Sequence, residues 1–446
     1  MKPITRPQFL IAAPASGTGK TSLSMALMRS FARKGKIVQP FKCGPDYIDI
    51  RFHEIAAGHP SVNLDTFMAS EKHVKQLYRC YSEAADICVA EGMMGLFDGY
   101  DGRKGSAADI ALLLELPIVL VIDAKSASYS AAAQIYGFKN FDRRLRIAGV
   151  IFNRTGSERH RMSLGKACED IDIPCLGYIR RNEELRLKSR YLGLDISRKE
   201  NRQTIEAWAD FIEEQVDTDL LLEQTMCPLP VCDAPAAKPQ NGRLRIAVAK
   251  NRESFAFIYE ETLAKLRELG TVVFFNPETA KKLPRNIDLL YLPGGYPEKR
   301  AGELTGNYYI YEDVRQYIEN GGRTLAECGG MIYLSKGIAD EKKTRSMVGI
   351  FPFTVTTAKD KKRLTLGYRQ LEYNGQQLRG HEFHYTQLEN DRTAAPSVIQ
   401  VYNALGEPVA TPVFRYKNTI ASYTHLYLGQ ADILQLWNDP NTPNKP

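Results

Sequence analysis

The stretch that most constrains this chain lies near its start, where an apolar run leads through a glycine-rich turn into an amphipathic segment. The run Phe9–Ala13 is followed by Pro14-Ala15 and then by Ser16-Gly17-Thr18-Gly19-Lys20-Thr21, which opens a helical pattern. Glycines let backbone N–H groups approach a phosphate closely, and the helix dipole favours negative charge at that place. Lys20 is predicted to reach the outer phosphates and Thr21 to give its hydroxyl to Mg²⁺, so the stretch predicts a nucleoside-triphosphate site, although Pro14 stands where the common motif begins with glycine.

Composition narrows the class of protein. A chain of 446 residues can form two or three domains, and no apolar run approaches the length of a membrane span. The eight cysteines are scattered without a CxxC pair, which favours a reducing cytoplasm over zinc fingers or a disulfide framework. The net charge of +7 suits a polyanionic small molecule, and because Lys and Arg are spread rather than clustered we expect no nucleic-acid partner and no membrane contact.

Strand and helix patterns alternate along the first half of the chain. Such alternation predicts a parallel sheet with helices on both faces, in which ligands bind at the carboxyl ends of the strands. Residues 200–223 read as one helical stretch, and Cys227–Gly242 reads as a proline-rich linker before a second α/β pattern. We therefore predict an ATP-dependent domain over residues 1–225, a linker over 226–243 and a second domain over 244–446.

Polar side chains follow several strands of the first domain. Asp46 and Asp49 come after the second strand, and Glu91 and Asp98 after the third. Carboxylates in such places suit Mg²⁺ or substrate positioning, and Glu91 is the one most like a metal ligand; solvated turns and helix caps are the structural alternatives. Asn153, after the fifth strand, is predicted either to read an adenine edge or to cap the next helix.

The second domain carries a cysteine at a sharp glycine turn. Cys328 follows a short strand and precedes a helix start, so we expect an exposed thiol whose pKa is lowered toward the reactive thiolate. His425 follows another apolar run and could serve as its base. The turn Gly294-Gly295 could aim backbone N–H groups at an oxyanion. His381 and His384 could bind metal, but a packed pair with a substrate or structural role is the preferred interpretation.

These motifs in this order resemble the cobyrinate a,c-diamide synthase family, in which a dethiobiotin-synthetase-like ATPase is fused to a class I glutamine amidotransferase-like domain. The matching stretches are Ser16–Thr21, Gly44–Asp49, Asn63–Asp65, Glu91–Gly99, Gly105–Asp109, Asn153–His160, Gly294–Glu298, Glu327–Gly330, His381–Tyr385 and Ala421–His425. The resemblance implies an α/β protein with an N-terminal P-loop domain and a C-terminal amidotransferase-like domain.

The resemblance also implies an activity, namely two amidations of a corrinoid macrocycle with glutamine, ATP and Mg²⁺. Cys328 would attack glutamine with His425 as its base, and ATP bound at residues 16–21 and Asn153 would turn each carboxylate into an acyl phosphate. Thr21 and Glu91 would hold the metal, while Asp46, Asp49 and Asp98 would orient the substrate. The expected partners are cobyrinate or a related tetrapyrrole, glutamine and ATP, with a homodimer as a candidate assembly.

Departures from the family pattern bear on the substrate. Residues 190–194 differ from the usual family motif, and Ala249-Lys250-Asn251 stands where the family has A-R-D. In class I amidotransferases a Glu two residues after the histidine usually completes the triad, and Tyr427 occupies that place here. The cobyrinate a,c-diamide synthase family lacks that Glu as well. Hydrogenobyrinate and nickel sirohydrochlorin therefore stay open as substrates. A partitioning-type switch ATPase with a non-catalytic second domain is the other class of function, although Ala15 takes the place of the switch lysine.

Overall fold

The computed structural model describes residues 4–182, 199–232, 242–389 and 395–438. The chain divides into two compact units: unit 1 comprises Met1–Thr66 and Ser70–Ala236, and unit 2 comprises Phe67–Ala69 and Ala237–Pro446. None of the described helices is both long and apolar enough to cross a membrane. Residues 190–194, where the sequence departs from the family motif, lie outside the described residues.

Unit 1 alternates strands and helices as predicted. Its elements are β1 (Thr5–Ala12), α1 (Lys20–Arg33), β2 (Val38–Cys43), α2 (Asp49–Ala57), β3 (Val62–Leu64), α3 (Glu71–Ser82), β4 (Ile87–Glu91), α4 (Ala107–Leu114), β5 (Ile118–Asp123), α5 (Ala131–Phe141), β6 (Ile147–Thr155), α6 (Glu158–Glu169), β7 (Cys175–Arg180), α7 (Lys199–Glu213), α8 (Thr218–Gln224) and β8 (Met226–Pro228). The helical stretch expected over residues 200–223 is two helices, separated where Asp217 caps α8 by accepting from the backbone N–H of Leu220.

The sheet of unit 1 has the order β3-β2-β4-β1-β5-β6-β7, with these strands parallel and β8 antiparallel beside β1. Alternate residues of β5 belong to two different cores, since Val119 and Val121 pack with α1 and α7 whereas Leu120 and Ile122 pack with α5 and α6. Burial of both faces explains the almost wholly apolar strand sequence. The prediction of a parallel sheet covered by helices on both faces is confirmed.

Unit 2 is built around a second sheet. Its elements are β9 (Leu244–Ala249), α9 (Glu260–Leu269), β10 (Gly270–Phe275), β11 (Leu289–Leu292), α10 (Ala301–Gly306), α11 (Tyr308–Glu319), β12 (Arg323–Glu327), α12 (Gly329–Tyr333), β13 (Gly337–Ala339), β14 (Thr344–Ser346), β15 (Thr354–Thr356), β16 (Thr365–Tyr373), β17 (Gln376–His384), β18 (Gln387–Glu389), β19 (Val401–Tyr402), β20 (Pro408–Val409), β21 (Val413–Tyr416), β22 (Thr419–Ser422) and β23 (His425–Leu426).

Three sheets share these strands. The largest has the order β10-β9-β11-β12-β22-β21 and is parallel except for β21. A four-stranded sheet follows the order β14-β13-β15-β18, and a five-stranded antiparallel sheet follows β20-β19-β16-β17-β23. The second α/β domain predicted from the sequence is therefore present, with two further sheets added to it.

Candidate active sites

The glycine-rich loop of unit 1 lies between β1 and α1. Gly17 and Gly19 have φ angles of +80° and +100°, which side chains rarely adopt. Lys20 folds over the loop, and its Nζ donates to the carbonyl oxygens of Ala15 (3.1 Å) and Met94 (2.5 Å). The loop thus has a backbone suited to an anion and an ammonium group already held beside it.

Asn153 and its neighbour brace this loop from the end of β6. Asn153 Nδ2 donates to the carbonyl oxygen of Thr18 (2.7 Å), and Arg154 Nη2 donates to that of Gly17 (2.7 Å). The next helix, α6, is capped instead by Ser157. The alternative in which Asn153 caps that helix is therefore wrong, whereas a contact with adenine stays a prediction.

A buried polar cluster lies beside the start of α1. Thr21 Oγ1 donates to Glu91 Oε1 (2.6 Å) and lies 3.3 Å from Asp49 Oδ2. Lys42 Nζ is 2.8 Å from both Asp49 Oδ2 and Glu91 Oε1. Three predicted site residues, Thr21, Asp49 and Glu91, therefore converge here. The lysine at their centre, Lys42, was not predicted from the sequence.

Adjacent strands explain the position of that lysine. Lys42 on β2 is the register partner of Glu91 on β4, so their side chains project from the same place in the sheet. Burial alone would lower the pKa of Lys42, but the charges of Asp49, Glu91 and Asp46 outweigh it and raise that pKa above its usual value. The one signal in the sequence was a single cation within a buried strand.

A histidine holds the other side of Glu91. His53 is fully buried, its Nε2 lies 2.7 Å from Glu91 Oε2, and its Nδ1 lies 3.1 Å from Ser61 Oγ. Burial alone would raise the pKa of Glu91, yet Lys42 and His53 hold it well below its usual value. His53 is four residues after Asp49 on α2, the helical spacing that puts both on one face, and this spacing could have pointed to it.

Asp46 and Asp98 have different surroundings from Asp49 and Glu91. Asp46 Oδ1 accepts from the backbone N–H groups of Ile48 (2.8 Å) and Asp49 (2.9 Å) at the start of α2. Burial, and then the charge of Asp49, raise the pKa of Asp46 to about 6. Asp98 is exposed, and its Oδ2 accepts from the N–H of Gly95 (2.9 Å). Asp46 thus braces a turn beside the cluster, whereas Asp98 braces the turn at Gly95.

The donor set of the cluster fits Mg²⁺ bound together with phosphates. Hydroxyl and carboxylate oxygens, as offered by Thr21 and Glu91, are the ligands that Mg²⁺ takes, and it usually keeps water and phosphate oxygens as further ligands. Within the described ranges, no group of three or more His, Cys, Asp or Glu side chains could hold a metal by itself. The residues therefore fit a magnesium ion that arrives with a nucleotide.

In unit 2 the cysteine forms a strained elbow between β12 and α12. Cys328 has φ 45° and ψ −103°, and its N–H donates to the carbonyl oxygen of Ser422 (2.7 Å). The side chain is buried, and burial, followed by the charges of Glu298 and Glu382, raises the pKa of the thiol above its usual value. The elbow is confirmed, but the expected exposure and lowered pKa are wrong because the five-residue helix α12 lies in the core rather than at the surface.

The Gly294-Gly295 turn lies between the cysteine and the histidine. A Cβ placed on Gly294 would be 2.1 Å from His425 Cε1, and one on Gly329 would be 2.8 Å from the Gly295 nitrogen. The N–H of Gly295 also donates to the Cys328 sulfur, which opposes the rise in the thiol pKa. The backbone of the turn therefore occupies the position from which it could bind an oxyanion, and glycine is required there for space.

His425 is held in an apolar, aromatic environment. Its ring centroid lies 5.1 Å from that of His381 at an interplanar angle of 18°, and 6.1 Å from that of Phe257. Burial, and then the nearby imidazoles, hold the pKa of His425 well below its usual value. The ring is therefore neutral near pH 7, which is the form that accepts a proton.

The two histidines of the HEFHY motif have structural partners. His381 Nδ1 lies 2.8 Å from the Tyr259 hydroxyl. His384 Nε2 lies 3.1 Å from Glu382 Oε1, and its ring stacks on Tyr423 at 3.7 Å. These contacts agree with the packed pair preferred from the sequence.

A cavity of about 690 Å³ opens beside this motif. Its polar wall is a buried network in which Glu382 accepts hydrogen bonds from Arg369 and from the Thr411 hydroxyl (2.7 Å). His384 and Tyr423 line the same cavity. Unit 2 therefore has room for a small polar molecule next to buried groups of both charges.

Two family models match the chain, one for each unit. Residues 9–194 match the CobQ/CobB/MinD/ParA nucleotide binding domain. Residues 245–433 match the CobB/CobQ-like glutamine amidotransferase domain. The first match includes the phosphate loop, and the second includes the elbow at Cys328.

Curated relatives match over nearly the whole length. A cobyrinate a,c-diamide synthase of Caldanaerobacter subterraneus subsp. tengcongensis is 37% identical over 435 residues, covering 94% of this chain and 95% of that protein. A hydrogenobyrinate a,c-diamide synthase of Brucella anthropi is 37% identical over 433 residues, covering 94% and 98% respectively. At this coverage each alignment includes residues of both units of the chain.

Proposed function

The chain belongs to the family of cobyrinate and hydrogenobyrinate a,c-diamide synthases, and we propose that it amidates the a and c carboxylates of cobyrinate with ammonia from glutamine and energy from ATP. One observation carries the proposal: the same chain holds a phosphate loop beside buried carboxylates, and a glycine turn that approaches both a cysteine elbow and a histidine. Each half alone would be an incomplete catalyst for making an amide from glutamine.

In unit 2, the Cys328 sulfur attacks the amide carbon of glutamine. The thiol proton passes to His425 and then to the departing ammonia, while the backbone N–H groups of Gly294-Gly295 stabilise the oxyanion. Water then cleaves the thioester and glutamate leaves. A buried neutral thiol beside a buried neutral imidazole suits this sequence, because no isolated charge has to be kept in the core before glutamine binds.

In unit 1, a substrate carboxylate attacks the γ-phosphorus of ATP, which gives an acyl phosphate and ADP. Ammonia then attacks the acyl carbon and phosphate leaves, so that each cycle makes one amide. Lys20 and the loop N–H groups stabilise charge on the transferred phosphoryl group. Mg²⁺ would supply further charge neutralisation, held by Thr21 and Glu91, while Asp46, Asp49 and Asp98 orient the macrocycle.

The macrocycle itself is the finer part of the proposal. Relatives named for cobyrinate and for hydrogenobyrinate are equally similar to this chain, each at 37% identity. Hydrogenobyrinate is therefore the first alternative substrate and nickel sirohydrochlorin the second. We also infer a cytoplasmic enzyme that forms a homodimer, which sizing of the purified protein by light scattering tests.

One experiment tests the activity and the substrate together. The purified protein is incubated with ATP, Mg²⁺ and glutamine and with each macrocycle separately, and products are followed by mass spectrometry. We expect singly and then doubly amidated cobyrinate, with glutamate and ADP formed in step. Failure to release ammonia from glutamine would contradict the function, and amidation of another macrocycle alone would correct the substrate.

A further inference from the structure

A buried acid that the mechanism above leaves unused lies directly before the nucleophile. Glu327 is the last residue of β12 and is 1% exposed. Each of its carboxyl oxygens has its own partner: Oε2 lies 2.7 Å from the Tyr291 hydroxyl, and Oε1 accepts from the backbone N–H of Leu426 at 3.1 Å. Burial of a carboxyl group costs free energy, and hydrogen bonds to both of its oxygens offset part of that cost.

The partners of Glu327 lead to the other parts of the site. Tyr291 is on β11, which runs directly into the Gly294-Gly295 turn. Leu426 follows His425 on β23, and β23 belongs to the five-stranded sheet whereas β11 and β12 belong to the six-stranded one. The Glu327 carboxyl group therefore joins the strand that carries the histidine to the sheet that carries the nucleophile and the turn.

This link matters because a general base must be held within reach of the proton that it takes. Tyr427 stands where class I amidotransferases usually carry the Glu of the triad, and the hydrogen bond from Leu426 to Glu327 holds the strand on which His425 lies. We propose that Glu327 is a positioning residue for glutamine hydrolysis, which fixes His425 relative to Cys328 and the Gly294-Gly295 turn by holding the backbone of β23. This inference rests on the proposed glutaminase activity of unit 2.

The chemistry of the link favours a hydrogen-bonded acid over an ion. Burial raises the pKa of Glu327 to about 8, so the neutral acid predominates at pH 7. The carbonyl oxygen of a neutral acid accepts from the Leu426 N–H, and its hydroxyl oxygen accepts from the Tyr291 hydroxyl. A glutamine side chain keeps the acceptor for Leu426 and places an amide N–H beside the Tyr291 hydroxyl oxygen, so it should preserve the link.

The test compares Glu327→Gln, Glu327→Ala and Tyr291→Phe with wild type. Glu372→Gln, at an exposed position of β16 in the same unit, is the matched control. The measurements are kcat and KM for ammonia release from glutamine, the pH profile from pH 6 to 9, and amidation driven by ammonium salt. Because a displacement of about 1 Å can cost roughly 100-fold in rate, we expect Glu327→Ala to lose about that much kcat with KM within about threefold.

We further expect Glu327→Gln to keep at least about a third of wild-type kcat with an unchanged pH profile, and Tyr291→Phe to fall between the two variants. Ammonia-driven amidation should be the same in all of them, which shows that unit 1 is folded. A Glu327→Ala enzyme with wild-type kcat would overturn the inference. The inference would also be overturned if the pH profile of kcat lost its change near pH 8 in Glu327→Gln, because that would give Glu327 a role in proton transfer. Absence of glutaminase activity in the wild type would instead overturn the proposed function.

Discussion

The two units place their chemistry at similar turns between a strand and a helix, but they treat charge in opposite ways. In unit 1, Lys42 lies 2.8 Å from the carboxylates of Asp49 and Glu91, and Lys42 and Glu91 each favour the charged form of the other. In unit 2, burial favours the neutral forms of Cys328, His425 and Glu327. The first site is charged and compensated from within, whereas the nucleophile, its base and Glu327 in the second are uncharged.

This difference matches what each site has to accept. A nucleotide and a macrocyclic polycarboxylate are highly charged, and a set of fixed, paired charges can orient them without reorganisation. Glutamine brings a neutral amide to its nucleophile, so a neutral thiol and imidazole avoid the cost of a buried ion until the reaction begins. The comparison predicts that mutations in the two units separate the two half-reactions.

The largest effect is expected for Cys328→Ala. Glutamine-dependent amidation should fall by at least roughly 10,000-fold, because the only proposed nucleophile for glutamine is lost. Ammonia-driven amidation should stay near the wild-type rate, since carboxylate activation belongs to unit 1. Product analysis with each nitrogen source measures both, and Cys80→Ala, at an exposed cysteine, is the control. Loss of both activities together would contradict the separation of functions.

Lys20→Ala should suppress amidation from either nitrogen source by roughly 1,000-fold, because no acyl phosphate would form without charge stabilisation at the loop. Glutamine hydrolysis should continue, uncoupled from amidation. The readouts are ADP formation and glutamate release in the same reaction, with Lys36→Ala, in the exposed segment that follows α1, as control. Amidation at the wild-type rate would mean that this loop is not the phosphate site.

Within unit 1, Glu91→Gln should have a larger effect than Asp46→Asn or Asp98→Asn. Removal of one charge-assisted contact costs roughly 2–4 kcal/mol of transition-state stabilisation, or about 30- to 1000-fold. We expect nearly no product from Glu91→Gln. The two Asp variants should lose only about tenfold and accumulate singly amidated intermediate, since that species must rebind in a new orientation.

A time course of both products at saturating ATP and Mg²⁺ distinguishes these outcomes. Wild-type rates in Glu91→Gln would refute its metal role. Identical intermediate levels in all three variants would refute the distinction between metal binding and substrate orientation.

The smallest effect concerns stability toward acid. His381 has its pKa lowered to about 3 by burial and then by Arg369, and the pKa of His425 is lowered as well. A histidine in the unfolded chain has a pKa near 6.5. The contribution of these two neutral histidines to the free energy of unfolding of unit 2 is therefore constant above about pH 6.5. Below about pH 6.5 it falls by about 1 kcal/mol per pH unit for each histidine. The lowered pKa of Glu91 contributes stability that is lost only below about pH 4.5.

Calorimetry at pH 7.5 and pH 5.5 tests the direction of these changes in stability. Glu327 opposes the histidines over this range, because its raised pKa of about 8 makes unit 2 more stable as the pH falls. When the pH is lowered, the unit 2 transition of Glu327→Gln should therefore fall relative to that of wild type, while the transition of unit 1, identified by its shift with ATP, should hardly move. Asp46 opposes acid destabilisation of unit 1, because its pKa is raised to about 6 and its burial is therefore less costly as the pH falls. Acid destabilisation of unit 1 alone would contradict the comparison.

The sequence predicted the parts of both sites that depend on local pattern. The phosphate loop, Thr21 and Glu91 follow from a motif and from a strand end, and the elbow at Cys328 follows from glycines after a short strand. Lys42 was missed because its meaning depends on the pairing of β2 with β4, residues far apart in the chain. The burial of Cys328 was missed because packing around α12 is not encoded in its local pattern.

The additional sheets of unit 2 were missed for a related reason. Strands such as β13, β19 and β20 have only two or three residues. Such segments are too short for a period of two to stand out, and they are defined by their partners rather than by their own sequence. Long, apolar strands such as β5 and β6 were found because their composition alone identifies them.

The short strand β8 determines where the chain can be truncated if the ATP-dependent half is to be expressed as a fragment. Met226–Pro228 pairs with Thr5–Pro7 of β1, and the buried side chain of Gln8 donates to the carbonyl oxygen of Cys227 (2.8 Å). A fragment that stops at codon 225 would remove this acceptor and leave a polar group of the central strand without it. A fragment that continues through codon 232 retains the strand and its hydrogen bonds, and is the better start for expressing the ATP-dependent half by itself.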